Sequence, residues 1–192
     1  MRCAILLVCV HNHCEQGESP MERISVPYHH DLQKVLDKLA NPGLLLVATK
    51  RSGQANVMTI GWGTVGIIWG RPIFVVMVRP SRYTYEFIEE SQAFTVNVPA
   101  ERMRKWVGVC GTRSGRDIDK FAEYGIETSP CSTVESVTID ACPMVYECQV
   151  VHHNDVIAPN LAPEIEVGSY GGADYHRIYY GQILGAFAAP GA

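Results

Sequence analysis

The residues with the clearest chemical meaning form a short run around a proline, Arg79-Pro80-Ser81-Arg82-Tyr83-Thr84. The sequence predicts that a strand ends at Arg79 and a helix begins near Thr84, which leaves the first helical N–H groups without intrahelical partners. Such a helix start attracts phosphate, and the Ser81 and Thr84 hydroxyls and the Arg82 guanidinium add further donors. The run is therefore a candidate phosphate site. The alternative is that Ser81 or Thr84 merely caps the helix.

A second run, Asn56 to Gly63 (NVMTIGWG), places glycines on both sides of Trp62. Glycines at a strand end let the backbone come close to a flat ligand, and the indole supplies an apolar wall. Exposed backbone N–H and C=O groups there could bind the polar edge of a heteroaromatic ring. The alternative is a bulged strand with Trp62 in the core.

A third run, Cys110 to Phe121, is rich in Gly, Ser and Arg but resembles a phosphate loop only loosely. It lacks the Gly-Lys-Ser/Thr ending of a P-loop, which argues against nucleoside triphosphate hydrolysis. Lys120 could pair with a phosphate, while Asp117 or Asp119 could cap the next helix. Cys110 stands beside basic residues that could lower its pKa, although a buried thiol is the simpler interpretation.

Histidines near the end of the chain are harder to assign. His152 and His153 follow a predicted strand, and adjacent strand residues face opposite sides, so both cannot contact one ligand. Tyr175 and His176 precede the last strand without a role that spacing alone assigns. We find no nucleophile–base pair of a hydrolase and no carboxylate pair of a glycosidase in the sequence.

The charge distribution is compatible with a small anionic ligand, although composition alone favours a simpler interpretation. A net charge of −4 argues against a general nucleic-acid binder, yet half of the sixteen basic residues lie between Arg79 and Lys120. The alternative is a solvated, basic helical face. Seven cysteines without a CxxC pair are typical of a reducing cytosol, so we expect a cytoplasmic protein.

The short apolar stretch near the start of the chain is only a weak match to a secretory signal. Residues 1–23 are therefore interpreted as an N-terminal extension, with a secretory signal as the alternative. Four residues there could bind a metal, but their spacing matches no standard zinc pattern, and we expect no metal: Cys9, His11, His13 and Cys14. The apolar run Gly43 to Ala48 is far short of the roughly 20 residues that a membrane span needs. We expect a soluble protein that does not bind membranes.

The predicted elements are mostly strands. Apolar spacing predicts helices at 32–39, 84–91, 101–109 and 119–124, with a Gly/Ser/Arg loop over 111–119. Segments rich in Val, Ile and Thr predict strands at 43–50, 55–61, 64–69, 73–79, 93–98, 137–151 and 176–188. Without βαβ alternation, these elements predict one mainly β domain over 24–192, an antiparallel barrel with short peripheral helices.

Together these segments resemble the flavin reductase-like family, and within it the flavoredoxin-type branch. The resemblance runs from about Asn41 to Phe187 and rests on five pieces in the family's order: NVMTIGWGTVG, RPSRYTYEFI, FTVNVP, CGTRSGRDIDKF and YECQVV. It implies a Greek-key-like split β-barrel and a homodimer whose two FMN sites lie at or near the subunit interface.

By matching motif, the resemblance implies nine FMN contacts. Asn56, Thr59 and Trp62 would line the isoalloxazine and ribityl region. The phosphate would be held by Ser81, Arg82 and Thr84, with Lys120 closing the site, and His153 and Phe187 would be late-chain contacts. Two parts of the chain depart from the family: residues 1–23 have no counterpart, and the segment 152–181 differs from the shorter Gly-Asp-His type of turn expected before the last strand.

The activity that the resemblance implies is an oxidoreductase that takes a hydride from NADH or NADPH at the N5 atom of FMN, without a required catalytic side chain. The sequence has no Rossmann glycine fingerprint, so the nicotinamide would dock on the exposed flavin face. One alternative is a flavoredoxin-like electron carrier that serves a redox partner protein. Another is a flavin-binding module without turnover.

Overall fold

Strands dominate because segments rich in Val, Ile and Thr suit a pleated, half-buried surface. The computed structural model describes residues 21–191. Its strands are β1 (Ile24–Ser25), β2 (Leu44–Thr49), β3 (Ala55–Ile60), β4 (Gly63–Ile68), β5 (Arg71–Val78), β6 (Ala93–Val98), β7 (Thr128–Pro130), β8 (Val137–Ile139), β9 (Met144–Asp155) and β10 (Arg177–Ala188). The helices are α1 (Leu32–Ala40), α2 (Tyr83–Ser91), α3 (Arg104–Thr112), α4 (Lys120–Tyr124) and α5 (Pro163–Ile165).

The first helix shows how the sequence sets an element and its end. Val35 and Leu39 of α1 are buried one turn apart, while most of the helix faces solvent. The helix ends at Ala40 because residues before a proline, here Asn41, are disfavoured in the helical region. Gly43 then adopts a positive φ of 111°, and a Cβ there would lie 2.6 Å from Thr59 Cγ2, so only glycine fits.

The main sheet is antiparallel and open. Within residues 21–191 its strands follow the order β3-β2-β6-β9-β10-β5-β4, with β1 paired to β10. The two ends of this path, β3 and β4, are consecutive in the chain and joined by Gly61-Trp62. The predicted mainly β, antiparallel fold with short peripheral helices is therefore confirmed, and the β3–β4 connection lies at the opening of the sheet.

Long strands bend to make the sheet curve. β9 and β10 each run for 12 residues, and their pairing shifts register between Tyr180 and Gly181 and again between Ile183 and Gly185. Such bulges increase local twist and let a sheet wrap around its own core. Gly181 is required at the first shift, because a Cβ would lie 2.3 Å from the ring of Phe94.

Apolar side chains on the two faces of the sheet form separate clusters. One cluster lies inside the barrel and includes Leu44, Ile60 and Phe74. Another packs the opposite face of β2, β3 and β9 against α3, with Val57 of β3 and Val107 of α3 among its members. Strand β3 is thus fixed from both sides, which makes it a rigid support for side chains at its edge.

The structure differs from the sequence prediction in several connections. The helix expected at 101–109 is a 3₁₀ turn (Glu101–Met103) followed by α3, which continues to Thr112. The strand expected at 137–151 is interrupted before Pro143, which lacks a donor for the ladder, so β8 and β9 are separate. β1 and β7 were not predicted, nor were the short turns Ala158–Asn160 and Glu166–Tyr170.

Arg23 belongs structurally with the barrel. Its guanidinium donates to the carbonyls of Ile139 and Cys142, both at 3.0 Å, and to the Thr138 hydroxyl. The boundary predicted between residues 23 and 24 stays a prediction.

Among residues 21–191, no helix has both the length and the apolar character that crossing a membrane requires.

Candidate functional site

A cleft of about 280 Å³ opens beside β3. Its walls come from β3 and the β3–β4 connection, the end of β5, the start of α2, the end of α3 with the loop that follows, and His176. Residues from distant parts of the chain meet here because β3 packs against both α2 and α3. Seven of the nine predicted contacts line this one cleft: Asn56, Thr59, Trp62, Ser81, Arg82, Thr84 and Lys120.

Lys120 provides a buried positive charge in the cleft. It is the first residue of α4, which Asp119 caps, and it is only 3% exposed. Its Nζ donates to the Arg113 carbonyl at 3.1 Å, and no carboxylate among residues 21–191 acts on it. Burial therefore lowers the pKa of Lys120. A buried ammonium without an anion is unfavourable, so the site suits an anionic ligand.

Asn56 and Thr84 form a buried polar pair beside Lys120. The Asn56 amide donates to Thr84 Oγ1 at 2.7 Å, which leaves the Thr84 hydroxyl proton free to be donated into the cleft. Gly115 closes over this pair, because a Cβ at that position would lie 2.0 Å from Asn56 Oδ1.

The capping interpretation of the Arg79–Thr84 run is not what the structure shows. The residue at the N-terminal boundary of α2 is Arg82, and no side chain caps that helix start. Arg82 and Ser81 are exposed at the cleft edge. The Ser81 N–H and hydroxyl both donate to the Asp174 carboxylate, at 3.2 and 2.6 Å. Phosphate binding at Ser81 would therefore have to compete with Asp174.

Thr59 supports the site from beneath. Its hydroxyl donates to the Val107 carbonyl at 2.6 Å and so ties β3 to α3. Because that bond uses the hydroxyl proton, Thr59 can offer a ligand only its oxygen lone pairs and its methyl group.

Trp62 lies at the rim and not in the core, since it is 43% exposed. Its ring centroid is 4.8 Å from that of His176 and 6.3 Å from that of Tyr170. Gly61 lines the cleft next to it, and its close approach to a ligand stays a prediction. Gly63 is needed for another reason, because a Cβ there would lie 2.4 Å from the Val75 carbonyl of β5.

Arg79 holds the segment before β10 against the cleft. Its guanidinium donates to the Ser169 carbonyl at 2.6 Å and lies over the Tyr170 ring at 5.2 Å. The sequence placed Arg79 at the end of a strand but assigned it no contact of its own.

His176 lines the cleft, although spacing alone assigned it no role. It is 9% exposed, and its Nδ1 lies 3.0 Å from the Tyr170 hydroxyl. Burial, assisted by the nearby Arg79 charge, lowers the pKa of His176 to about 4. The imidazole is consequently neutral at pH 7 and available as a hydrogen-bonding group. Its position directly before the last strand was the one sequence signal that could have identified it.

We predict that His176 makes the protein acid-sensitive. Because the folded pKa of about 4 lies below the ordinary value of 6.5, the unfolded chain binds the extra proton first as pH falls. The stabilising contribution is complete above about pH 6.5 and is lost towards pH 4, with an upper bound of about 3 kcal/mol. Urea denaturation across this range should show a shallower loss of unfolding free energy for His176→Gln than for the wild type. Parallel pH profiles would contradict the assignment.

Cys110 is a buried thiol. It is 3% exposed, and burial raises its pKa to about 11 despite the opposing effect of Lys120. The interpretation of Cys110 as a buried thiol is therefore confirmed, and the alternative of a pKa lowered by neighbouring basic residues is wrong. Cys110 is not suited to act as a thiolate nucleophile at neutral pH.

His153 and Phe187 do not line the cleft. His153 is exposed on β9, with its ring 6.1 Å from the Tyr179 ring, and Phe187 packs with the cluster between the sheet and α3. His152 contacts other partners, the rings of Trp69 and Tyr180, in agreement with the prediction that the two histidines serve different surroundings. The roles of His153 and Phe187 in binding stay predictions.

Residues 21–191 contain no group of three or more His, Cys, Asp or Glu residues arranged to hold a metal. The four residues weighed as metal ligands, Cys9, His11, His13 and Cys14, lie outside the described residues.

The chain is similar in sequence to a curated protein. The chain is 30% identical over 106 residues to the uncharacterized protein YddH of Escherichia coli K12, a match that covers 54% of this chain and 53% of YddH. The chain thus matches only about half the length of this curated relative.

The fold is similar to that of several solved structures. A flavoredoxin from Methanosarcina acetivorans superposes with a TM-score of 0.59 at 27% identity, over 76% of this chain and 68% of that one. An FMN-binding domain of a flavin reductase-like enzyme from Shewanella baltica OS155 gives 0.62 at 20% identity, over 88% and 78%. The family model described as the flavin reductase like domain matches residues 38–191. With an open antiparallel barrel and a basic cleft at the opening, the chain belongs to the flavin reductase-like family of split barrels.

Proposed function

We propose that this chain binds FMN in the cleft beside β3 and acts as an NAD(P)H-dependent flavin reductase. The observation that carries the proposal is that one cleft contains both a buried positive charge and an aromatic wall. Lys120, buried and without a carboxylate partner among residues 21–191, marks an anionic subsite, and Trp62 with His176 forms an aromatic wall. A ligand that joins a phosphate to a flat ring system matches this arrangement.

The residues present fit FMN. Lys120, Arg82 and the free Thr84 proton would hold the phosphate, and Asn56, fixed by Thr84, would face the ribityl chain. Trp62 would lie against the ring system. When bound, the isoalloxazine of FMN supplies hydride and electron-transfer chemistry at N5.

The chain itself contributes binding, orientation and shielding. Thr59 ties β3 to α3 and so helps to hold the two walls of the cleft together. His176 stays neutral at pH 7 and offers a hydrogen bond without adding charge near the ring. Trp62, partly exposed at the rim, leaves a side of the cleft accessible from solvent, where a nicotinamide could dock.

We further propose a homodimer with the cleft at its interface. Trp69, 61% exposed, joins His152 and Tyr180 in a surface cluster of aromatic rings. In the sheet, Val75 of β5 pairs with Tyr180 of β10. Met77 lies two residues after Val75, on the same face of β5, and it lines the cleft. The exposed apolar face is therefore continuous with the cleft and suits a second copy of this chain. Light scattering that reports a monomer at micromolar concentrations would contradict the dimer.

A titration with pyridine nucleotides tests the reductase. The protein is loaded with FMN, freed of excess ligand and mixed anaerobically with NADH or NADPH, while the visible flavin absorbance is followed. We expect one nucleotide to bleach it at a catalytically competent rate. If dithionite bleaches the flavin and neither nucleotide does, the reductase proposal fails. Protein that retains no flavin would remove the FMN site itself.

A second candidate, an electron carrier, is favoured by the likeness to a solved flavoredoxin. A carrier would exchange electrons quickly with a protein partner but turn over slowly with nicotinamide and free FMN. Repeating the experiment with excess free FMN as the electron acceptor separates the two, because only a reductase gives fast, repeated turnover with NADH or NADPH.

A cytoplasmic location fits the cysteines. Among the described residues Cys110, Cys131, Cys142 and Cys148 are free thiols, three of them buried, as expected where disulfides are rare. We propose the cytoplasm on this ground.

A further inference from the structure

Asp174 lies where an anionic ligand would be expected. Its carboxylate accepts from the Ser81 N–H at 3.2 Å and from the Ser81 hydroxyl at 2.6 Å, using both donors that the Arg79–Thr84 turn offers at Ser81. Arg79 lies 3.8 Å from the same carboxylate. A carboxylate held by a backbone N–H, a hydroxyl and a guanidinium occupies the kind of donor set that binds phosphate.

The segment that carries Asp174 is fastened to the cleft at few points. Arg79 donates to the carbonyls of Ser169 and Asp174, at 2.6 and 3.3 Å, and Tyr170 contacts His176. Between these ties lie Gly171 and Gly172, both at positive φ and both with open space where a Cβ would be. Glycines in such positions allow the backbone to rearrange at low cost.

We propose that Asp174 is a built-in competitor for the phosphate subsite, so that the segment 166–176 acts as an autoinhibitory latch on that subsite. This inference rests on the proposed FMN site. A phosphate that accepts hydrogen bonds from Ser81 would compete for the donors that the Asp174 carboxylate uses, and two negative charges on the same donors repel. Ligand phosphate therefore displaces the carboxylate from Ser81, and the segment loses one of its ties to the cleft.

The latch lowers the affinity for phosphorylated flavins and leaves the affinity for uncharged flavins unchanged. A flavin without a phosphate, such as riboflavin, leaves the Ser81–Asp174 contact in place. Loss of that contact would therefore not change the affinity for riboflavin. A phosphorylated flavin binds more weakly than its contacts with Lys120 and Arg82 alone would allow, because part of the binding free energy goes into displacing Asp174.

The test compares FMN and riboflavin affinities of the wild type and Asp174→Asn, measured by flavin fluorescence titration. Asparagine keeps the shape, can still accept a hydrogen bond and tolerates the positive φ of 52° at this residue. We expect FMN to bind about tenfold more tightly to the variant and riboflavin to bind with unchanged affinity. Asp37→Asn, on the exposed face of α1, makes the same charge change away from the cleft and should alter neither affinity.

The outcomes separate the two proposals. If the wild type binds neither flavin, the FMN site fails and the latch with it. If FMN binds but Asp174→Asn leaves the ratio of FMN to riboflavin affinity unchanged, or weakens both ligands together, Asp174 is a structural tie and the latch is wrong.

A second measurement uses the wild type alone. Residues 156–176 contain no Lys or Arg but do contain Tyr170 and Tyr175, so chymotrypsin can cut within the segment where trypsin cannot. Release of the latch predicts faster chymotryptic cleavage there with FMN than with riboflavin. Equal rates with the two flavins, or protection by FMN, would overturn the latch.

Discussion

Replacing Lys120 with methionine is expected to lower FMN affinity about 100-fold while making the protein more stable. Removing one partner of a buried charge pair typically costs about 2–5 kcal/mol of binding free energy, and 100-fold corresponds to about 2.7 kcal/mol. The protein without ligand becomes more stable because Lys120 is only 3% exposed and no carboxylate among residues 21–191 offsets the desolvation of its ammonium group. We expect the unfolding free energy to rise by about 1–2 kcal/mol. Fluorescence titration and urea denaturation measure the two effects.

The matched control is Lys105→Met, which removes the same charge from an exposed position on α3. It should leave FMN affinity unchanged, because Lys105 does not line the cleft. Riboflavin affinity should change less than about threefold in Lys120→Met, since the missing charge serves the phosphate. Equal losses for FMN and riboflavin would show that Lys120 shapes the cleft and does not bind the phosphate.

Gly115→Ala is expected to weaken FMN and riboflavin alike, by about tenfold or more. The new Cβ would lie 2.0 Å from Asn56 Oδ1 and 3.0 Å from the Tyr83 ring, so either the loop or the Asn56–Thr84 pair must move. Overpacking of this kind costs about 1–3 kcal/mol. Because the disturbed pair borders the phosphate subsite and the rest of the cleft, both flavins should lose affinity, unlike the selective loss in Lys120→Met.

The control for this substitution is Gly108→Ala in α3, where no atom lies within 4 Å of the added Cβ. Alanine there should stabilise the protein by about 0.5–1 kcal/mol through helix propensity and leave flavin binding intact. Gly115→Ala with unchanged affinity and stability would mean that the loop moves aside freely, and that Gly115 does not fix Asn56.

Much of the cleft could be predicted because its contributors are contiguous in sequence and end recognisable elements. The Arg79–Thr84 turn is set by Pro80 between a β-branched strand and a helix, and its position at the cleft follows directly. Lys120 follows Asp119, a residue that caps helices, which predicted the start of α4. The Pro80 turn and the Asp119 cap each depend on a few neighbouring residues, so the sequence alone predicts them.

The contributions that depend on long-range packing were not predictable. His176 reaches the cleft only because β10 pairs with β5 and brings its first residues beside Arg79. Asp174 bonds to Ser81 across 93 residues of sequence, and no periodicity encodes that contact. Likewise, whether Cys110 would be activated depended on burial, which raised its pKa where neighbouring charges suggested the opposite.

By itself the sequence determined the strands and short helices, the absence of βαβ order, and the run of donors at Arg79–Thr84, because β-propensity, proline and helix-start chemistry act over a few residues. Only the tertiary structure decided that Lys120 is buried without a carboxylate partner, that Trp62 forms a rim and that Asp174 takes the Ser81 donors. Burial and partner choice depend on which distant strands pair. That pairing is a property of the folded chain as a whole.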